Sequence, residues 1–324
     1  MESKKNIVVK VDKLKIYVSG IDELTKKASE ILTEKFDIEY VYLHSQVDIH
    51  TALKNCDIFW FRLNHKLTRD ILKGVNCKHI LCAVTGLDHI DVEACNDYGI
   101  TIVSLKNESE FLKEVRATAE HTFGLILALI RRTKLSFNHV ESGLWNRDLF
   151  KGTELYKKKI GILGLGRLGE IVAKYADAFG MEVYYYDIEP KQTNSNFICC
   201  SSAEELCSKV DILSIHLPYN SSTHFLINKK LLDNVNRPIY IVNTSRGGLI
   251  NEKDLLEKLT ANKIAGYATD VLFGEPDIAN NVLVNYASKN ENVIITPHIG
   301  GYTFESIEKT EYFIAKKLVD LINE

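Results

Sequence analysis

Lys159 to Asp187 reads KIGILGLGRLGEIVAKYADAFGMEVYYYD. An apolar, β-branched run leads into Gly164, Gly166 and Gly169, spaced as G-x-G-x-x-G, and a helical pattern follows. A second apolar run then closes on Asp187. In a strand–turn–helix–strand unit of this kind the first glycine makes the turn and the second lets backbone approach a diphosphate. The third lets the helix pack close to the strand. Arg167 and Leu168 open the helix, whose unpaired N–H groups and positive dipole end would face the phosphates. An acid at Asp187 suits the diol of an adenosine ribose and repels a 2′-phosphate, and no arginine follows it. The hexapeptide alone leaves a ligand-free connection equally open; with strand, helix and distal acid in place, the reading is an NAD-binding turn.

Outward from this unit, the same alternation fills the chain. KIYVSG, IEYVYL, DIFWFR, HILCAV and ITIVSL precede it as five strands. FICC, VDILSIHLP, IYIVNTS, IAGYATDV and VIITPH follow it. Nearly continuous apolar strands separated by helices imply parallel sheets covered on both faces. Two such series predict an α/β protein of two doubly wound parallel-sheet domains with a cleft between them. The stretch from about Ser109 to Val140 is expected as the crossover helix, and a last helix from about Thr303 to Ile322 is expected to pack back on the first domain. The division is 1–106 with 297–324 for the first domain and 107–296 for the second.

A chain of 324 residues, 45% apolar and 26% charged, suits two soluble domains. A net charge of −3 and a pI near 6.4 give no reason to expect nucleic acid or an anionic membrane as partner. Seven cysteines without a C-x-x-C pair fit neither a metal site nor a disulfide framework, and predict reduced thiols in the cytoplasm. The longest apolar run, FGLILALI, is too short to cross a bilayer.

Three later strand ends carry candidate chemistry. VNTSRGGLIN places Arg246 beside a Gly-Gly turn, ATDVLFGEP supplies Asp270 and Glu275, and TPHIGGYT supplies His298. Pro297 restricts the turn that aims the imidazole. Each residue alone reads as a surface or structural group. Three titratable types at consecutive strand-end turns read as a site.

In order and spacing, GLGRLG…D, HLP, NTSRGGLIN, DVLFGEP and TPHIGGYT resemble the D-isomer-specific 2-hydroxyacid dehydrogenases, and ATAEHTFGLILAL resembles the helix leading into that family's cofactor domain. The resemblance implies a Rossmann-type NAD domain and a flavodoxin-like substrate domain. It implies that Arg246 holds the substrate carboxylate and that His298 donates a proton to the carbonyl oxygen as hydride arrives. Glu275 would brace the imidazole and raise its basicity. Cofactor contacts carried over are Gly164, Gly166, Arg167, Leu168, Gly169, Asp187, His216, Pro218, Thr223, Thr244, Ser245, Arg246, Asp270, His298 and Gly300. His216 and Pro218 read equally well as a strand end shaped for packing. Glu275, where formate-acting members have glutamine, argues against that branch. The chain closes soon after its last helix, so the regulatory domain of some phosphoglycerate dehydrogenases is not expected.

On the substrate side, the family's first-domain loop reads CAVTGLDHID, with backbone at Val84, Thr85 and Gly86 able to cradle a carboxylate. Phosphoglycerate dehydrogenases resemble RAGxGxDN here; Cys82, Val84 and His89 depart from that pattern, which puts a phosphoglycerate substrate in doubt. Arg62 is either a substrate contact or a solvated strand-end residue, with His65 and Lys66 as further candidates. Glu120 and His121 suggest an interdomain contact, and Trp145 an interface. The implied substrate is a small 2-oxoacid or 2-hydroxy acid, with no metal. A symmetric homodimer is expected through the helix around Leu125 to Ile130 and the segment after it. A dehydrogenase of a phosphorylated sugar acid and an NAD-sensing corepressor are the alternatives.

Overall fold

The twelve strands expected from the sequence all form in the computed structural model, which describes residues 13–189, 191 and 196–323. Two units separate, residues 1–108 with 307–324 and residues 109–306. In the first, β1 (Leu14–Ser19), β2 (Phe36–Val41), β3 (Ile58–Phe61), β4 (His79–Cys82) and β5 (Thr101–Ser104) pair in parallel in the order β2-β1-β3-β4-β5. Every residue of β3 is buried because helices cover both faces of the sheet. The order reverses between β1 and β3, where doubly wound sheets open a crevice at the carboxyl ends of their strands.

The second unit contains β6 (Lys159–Leu163), β7 (Glu182–Tyr186), β8 (Ile198–Cys199), β9 (Ile212–Ile215), β10 (Ile239–Asn243), β11 (Ile264–Thr269) and β12 (Val293–Ile295). Their order, β12-β11-β10-β9-β6-β7-β8, reverses between β6 and β9. The glycine turn after β6 and the HLP turn after β9 therefore flank the switch point. The ends of β10, β11 and β12 follow along the same edge. The helix Arg167–Ala178 turns Gly169, Val172, Ala173 and Ala176 inward, a helical spacing that packs against Ile160 and Ile162. Val172, Ile160 and Ile162 each contribute roughly 1.5–3 kcal/mol by this burial.

Two expectations change. The single crossover helix is three, Ser109–Leu112, Ala117–Ile130 and Thr133–Glu141, with Arg132 in the left-handed region (φ 55°) breaking the last junction. Leu125, Ile126, Leu129 and Ile130 are buried inside their own unit, against Ile160, Ile162 and Val172. In the segment after that helix Phe137, Val140, Leu144, Trp145 and Leu149 are exposed. The unit boundary also moves. Residues 297–306 fold with the second unit, because the N–H groups of Ile299 and Gly300 are bound by Asp270. The last helix, Phe304–Asn323, counts with the first unit from Ile307 onward.

Candidate active site

The glycine turn is built by what its glycines lack. Gly164 sits at φ +93°, and a Cβ on it would lie 2.8 Å from the His216 carbonyl oxygen. A Cβ on Gly169 would lie 2.1 Å from the Gly164 oxygen, so only glycine lets the helix start this close to the strand. A Cβ on Gly166 would meet nothing within 4 Å. That open face, at the N-cap of the helix and beside the switch point, fits a diphosphate. Asp187 also has a task within the turn. Its Oδ2 accepts the Leu165 N–H at 2.8 Å and its Oδ1 the Glu189 N–H at 3.0 Å, with Lys191 Nζ at 3.6 Å. A carboxylate has further lone-pair directions, so a ribose hydroxyl remains compatible with these bonds. The Arg167 guanidinium donates to the carbonyls of Leu112 and Val115, both at 2.9 Å, and burial lowers its pKa. Its side chain braces the preceding segment, which leaves its backbone as the part able to meet phosphate. Leu168 packs at the edge of the unit's core.

Across the switch point, the His216 N–H closes on the Leu163 carbonyl at 2.8 Å and its Nε2 lies 2.8 Å from Ser214 Oγ. Burial pushes its pKa down to about 4, so the ring is neutral at pH 7. Pro218 and Thr223 are brought together, the threonine hydroxyl donating to the proline carbonyl at 2.7 Å. This turn is held by its own hydrogen bonds, in keeping with the packing reading, and it still borders the site a nucleotide would take.

The ends of β10, β11 and β12 assemble the remaining candidates. Ser245 Oγ donates to the Ile215 carbonyl at 2.8 Å, and Thr244 Oγ1 lies 2.7 Å from Thr122 Oγ1 on the helix Ala117–Ile130. Arg246 follows, its Nη1 donating to the Ser245 carbonyl at 2.8 Å. Gly247 lies flush on the next strand's loop: a Cβ there would stand 2.0 Å from the Leu272 carbonyl carbon. The Arg246 turn and the loop bearing Glu275 are thus in direct contact. Glu275 Oε1 meets His298 Nδ1 at 2.5 Å, while its Oε2 accepts the Leu272 N–H at 2.9 Å. Holding Nδ1 leaves Nε2 as the nitrogen that can exchange a proton with a substrate. The imidazole is 27% exposed.

His298 has φ +56°, a left-handed conformation that costs a side-chain-bearing residue of order 1–3 kcal/mol. Asp270 over-determines it. The Asp270 carbonyl accepts the His298 N–H at 2.9 Å, and its carboxylate accepts Thr296 Oγ1 at 2.6 Å and the N–H groups of Ile299 and Gly300 at 2.9 and 2.7 Å. Burial acts to raise the pKa of this 2%-exposed acid, but His121, Thr296 and the two backbone donors outweigh it and hold the carboxyl low. His121 Nε2 stands 3.3 Å from Asp270 Oδ1 and 3.0 Å from Thr296 Oγ1. Both partners belong to the second unit.

In the first unit, Arg62 is the residue directly after β3, at the switch-point crevice. Its Nη2 donates to Glu311 Oε1 at 2.8 Å, and Glu311, only 1% exposed, also accepts the Thr25 N–H at 2.8 Å. Arg62 is therefore ion-paired rather than simply solvated. Nothing in the sequence around Glu311 marked it, since a helix surface full of acids gives no sign of which one turns inward. Val84 follows β4, its N–H spent on the Cys82 carbonyl at 2.8 Å, which leaves Thr85 and Gly86 as the adjoining loop backbone. His65 is buried with its Nε2 2.7 Å from Ser19 Oγ, a packed pair.

Residues 123–300 match the model of the D-isomer specific 2-hydroxyacid dehydrogenase NAD binding domain. The D-3-phosphoglycerate dehydrogenase of Methanocaldococcus jannaschii is 35% identical over 301 residues, 92% of this chain and 56% of that protein. The hydroxypyruvate reductase of Thermotoga maritima is 32% identical over 301 residues, 92% of this chain and 95% of that one. A crystal structure of D-lactate dehydrogenase from Aquifex aeolicus, complexed with NAD and lactic acid, has a TM-score of 0.80 at 26% identity and 95% coverage of both chains. The chain spans about half the length of the phosphoglycerate dehydrogenases it matches and nearly the whole hydroxypyruvate reductase.

Proposed function

From a chain that belongs to the D-isomer-specific 2-hydroxyacid dehydrogenase family, we propose hydride transfer between NAD(H) and a D-2-hydroxy acid/2-oxoacid pair, run in cells as reduction of the 2-oxoacid. The observation that carries the reading is the 2.5 Å contact of His298 Nδ1 with Glu275, on the loops after neighbouring strands and next to the Arg246 turn. Arg246 binds the substrate carboxylate with its planar fork and polarises the adjoining carbonyl. NADH, when bound along Gly164 to Gly169 with its ribose at Asp187, supplies the hydride to the carbonyl carbon. The proton for the carbonyl oxygen comes from His298 Nε2, and Glu275 stabilises the ring while it carries that proton. In the reverse direction His298 accepts the hydroxyl proton. Thr244, Ser245, Asp270 and Gly300 shape the wall of this pocket. Arg62 and, in the loop that begins at Val84, the backbone of Thr85 and Gly86 are the proposed substrate contacts of the first unit.

Similarity to phosphoglycerate dehydrogenases favours a second reading, a phosphorylated sugar acid as substrate. The buried Glu311 beside Arg62 weighs against it, since it offsets the charge a phosphate would seek. A panel of plain and phosphorylated 2-oxoacids, followed by NADH oxidation, tests both. Turnover of plain acids supports the first reading, preference for phosphorylated ones the second, and no turnover on any member removes both.

The exposed Phe137, Val140, Leu144, Trp145 and Leu149 form the apolar surface proposed for a homodimer, readable by sedimentation equilibrium; a monomer at micromolar concentration refutes it. Among the described residues no helix is long and apolar enough to cross a membrane, and all seven cysteines are free thiols. The free thiols support a reducing, cytoplasmic setting, which fractionation of cells checks.

A further inference from the structure

We propose that Glu252 is a positioning residue for the Glu275–His298 pair, its carboxylate fastening both ends of the loop 273–281 that carries Glu275. This rests on the dehydrogenase reading only for the word catalysis; the geometry stands by itself. Glu252 is the first residue of the helix Glu252–Thr260, where an acid would ordinarily be explained by the helix dipole. Its oxygens point elsewhere. Oε1 accepts the Phe273 N–H at 2.9 Å, at the start of the loop, and Oε2 accepts Asn281 Nδ2 at 2.6 Å, at its end.

Each anchor is itself immobilised. Asn281 Oδ1 caps the helix Val282–Ala287 by accepting the N–H groups of Leu283 and Val284 at 2.9 and 3.2 Å, so its amide cannot swing away without uncapping that helix. The Leu272–Phe273 peptide is pressed against Gly247, leaving no room to slide toward the Arg246 turn. Between the anchors lie Gly274, at φ +87°, and Glu275, which binds the Leu272 N–H with one oxygen and His298 with the other. Two adjacent N–H groups, Leu272 and Phe273, are thus each held by a different carboxylate. Removing Glu252 takes one hydrogen bond from each end of the loop and leaves Glu275 held by its own bonds to the Leu272 N–H and to His298. The groups facing Glu252 are the Phe273 N–H, the Asn281 amide and the charge of Glu275; burial first, with Glu275 adding, raises the Glu252 pKa against those two hydrogen bonds.

The test compares Glu252→Ala with Glu252→Asp, which keeps the charge but reaches one anchor rather than both. Steady-state kinetics with a 2-oxoacid and NADH are run in the wild-type and Glu275→Ala backgrounds. Displacing an acid–base group by about 1 Å costs up to about a hundredfold. Glu252→Ala is expected to lower kcat roughly ten- to a hundredfold with the NADH dissociation constant within twofold, and Glu252→Asp to fall between. In the Glu275→Ala background Glu252→Ala should cost little more, because its effect passes through Glu275. A second readout needs no turnover: the His298 Nδ1 proton, in so short a hydrogen bond, gives a downfield NMR resonance that Glu252→Ala should shift upfield or broaden. An unmoved resonance, or the same loss of kcat in both backgrounds, overturns the proposal. If the alanine variant does not fold, Glu252→Asp carries both measurements. A wild-type protein that shows the resonance but reduces no 2-oxoacid removes the dehydrogenase reading and leaves Glu252 to be judged by the resonance.

Discussion

Replacing Gly166 and Gly169 separately by alanine should divide ligand binding from folding. Gly166 has φ −81° and ψ −167°, extended backbone that alanine adopts freely, and its new methyl meets no protein atom within 4 Å. Stability without ligand should stay within about 0.5 kcal/mol of the wild type. The methyl instead occupies the face a diphosphate needs. Gly169→Ala is the converse. Its Cβ would stand 2.1 Å from the Gly164 oxygen, so the helix start must retreat about 1.3 Å (3.4 − 2.1) to reach ordinary contact, a strain of roughly 1–3 kcal/mol. Thermal unfolding with and without NADH reads both effects. At a concentration one hundred times its dissociation constant, NADH should stabilise the wild type by about 2.7 kcal/mol. A tenfold weaker site gains only about 1.4 kcal/mol at the same concentration. The reasoning is refuted if Gly166→Ala gains as much from NADH as the wild type, or loses more than about 1 kcal/mol in its absence.

Three further outcomes are expected. His298→Ala should lower turnover by about a hundredfold or more while NADH still binds; retained activity removes His298 from proton transfer. Asp187→Ala should relax the preference for NADH over NADPH, measured as the ratio of kcat/KM values, and an unchanged ratio assigns ribose selection to another group. His216, neutral and held down to about 4 against an ordinary 6.5, takes up its proton later in the folded than in the unfolded chain. Stability therefore falls as pH drops through that window, by at most about 3 kcal/mol. His216→Asn should flatten that fall in urea titrations at pH 7 and 4.5, and a curve as steep as the wild type's excludes His216 as its source.

Strands were legible because burial on both sheet faces forces continuous apolar runs, and all twelve were read correctly. The crossover helix was not: its second break depends on one left-handed residue, Arg132, and its first falls at residues 113–116, inside the same helical pattern. The apolar helix Ala117–Ile130 shows why hydrophobicity cannot name its partner: the same residues suit a subunit interface or the unit's own sheet, and here they cover the sheet. Among site residues, Glu275 and His298 were legible from motif spacing and meet in space. The residues that hold them or their neighbours, Asp270 through its carboxylate, Glu252 through its loop and Glu311 through Arg62, act across long sequence separations. Such contacts leave no periodicity, so a pattern in one strand or helix cannot announce them.

The left-handed backbone of His298 has a consequence for how this protein tolerates change. Glycine would occupy that position without steric strain, so His298→Gly should relieve conformational tension even as it discards the imidazole. Heat tolerance and reactivity then pull opposite ways at one residue. A lineage screened for thermal endurance alone would drift toward an inert, sturdier protein, and only a demand for chemistry keeps histidine in an uncomfortable place.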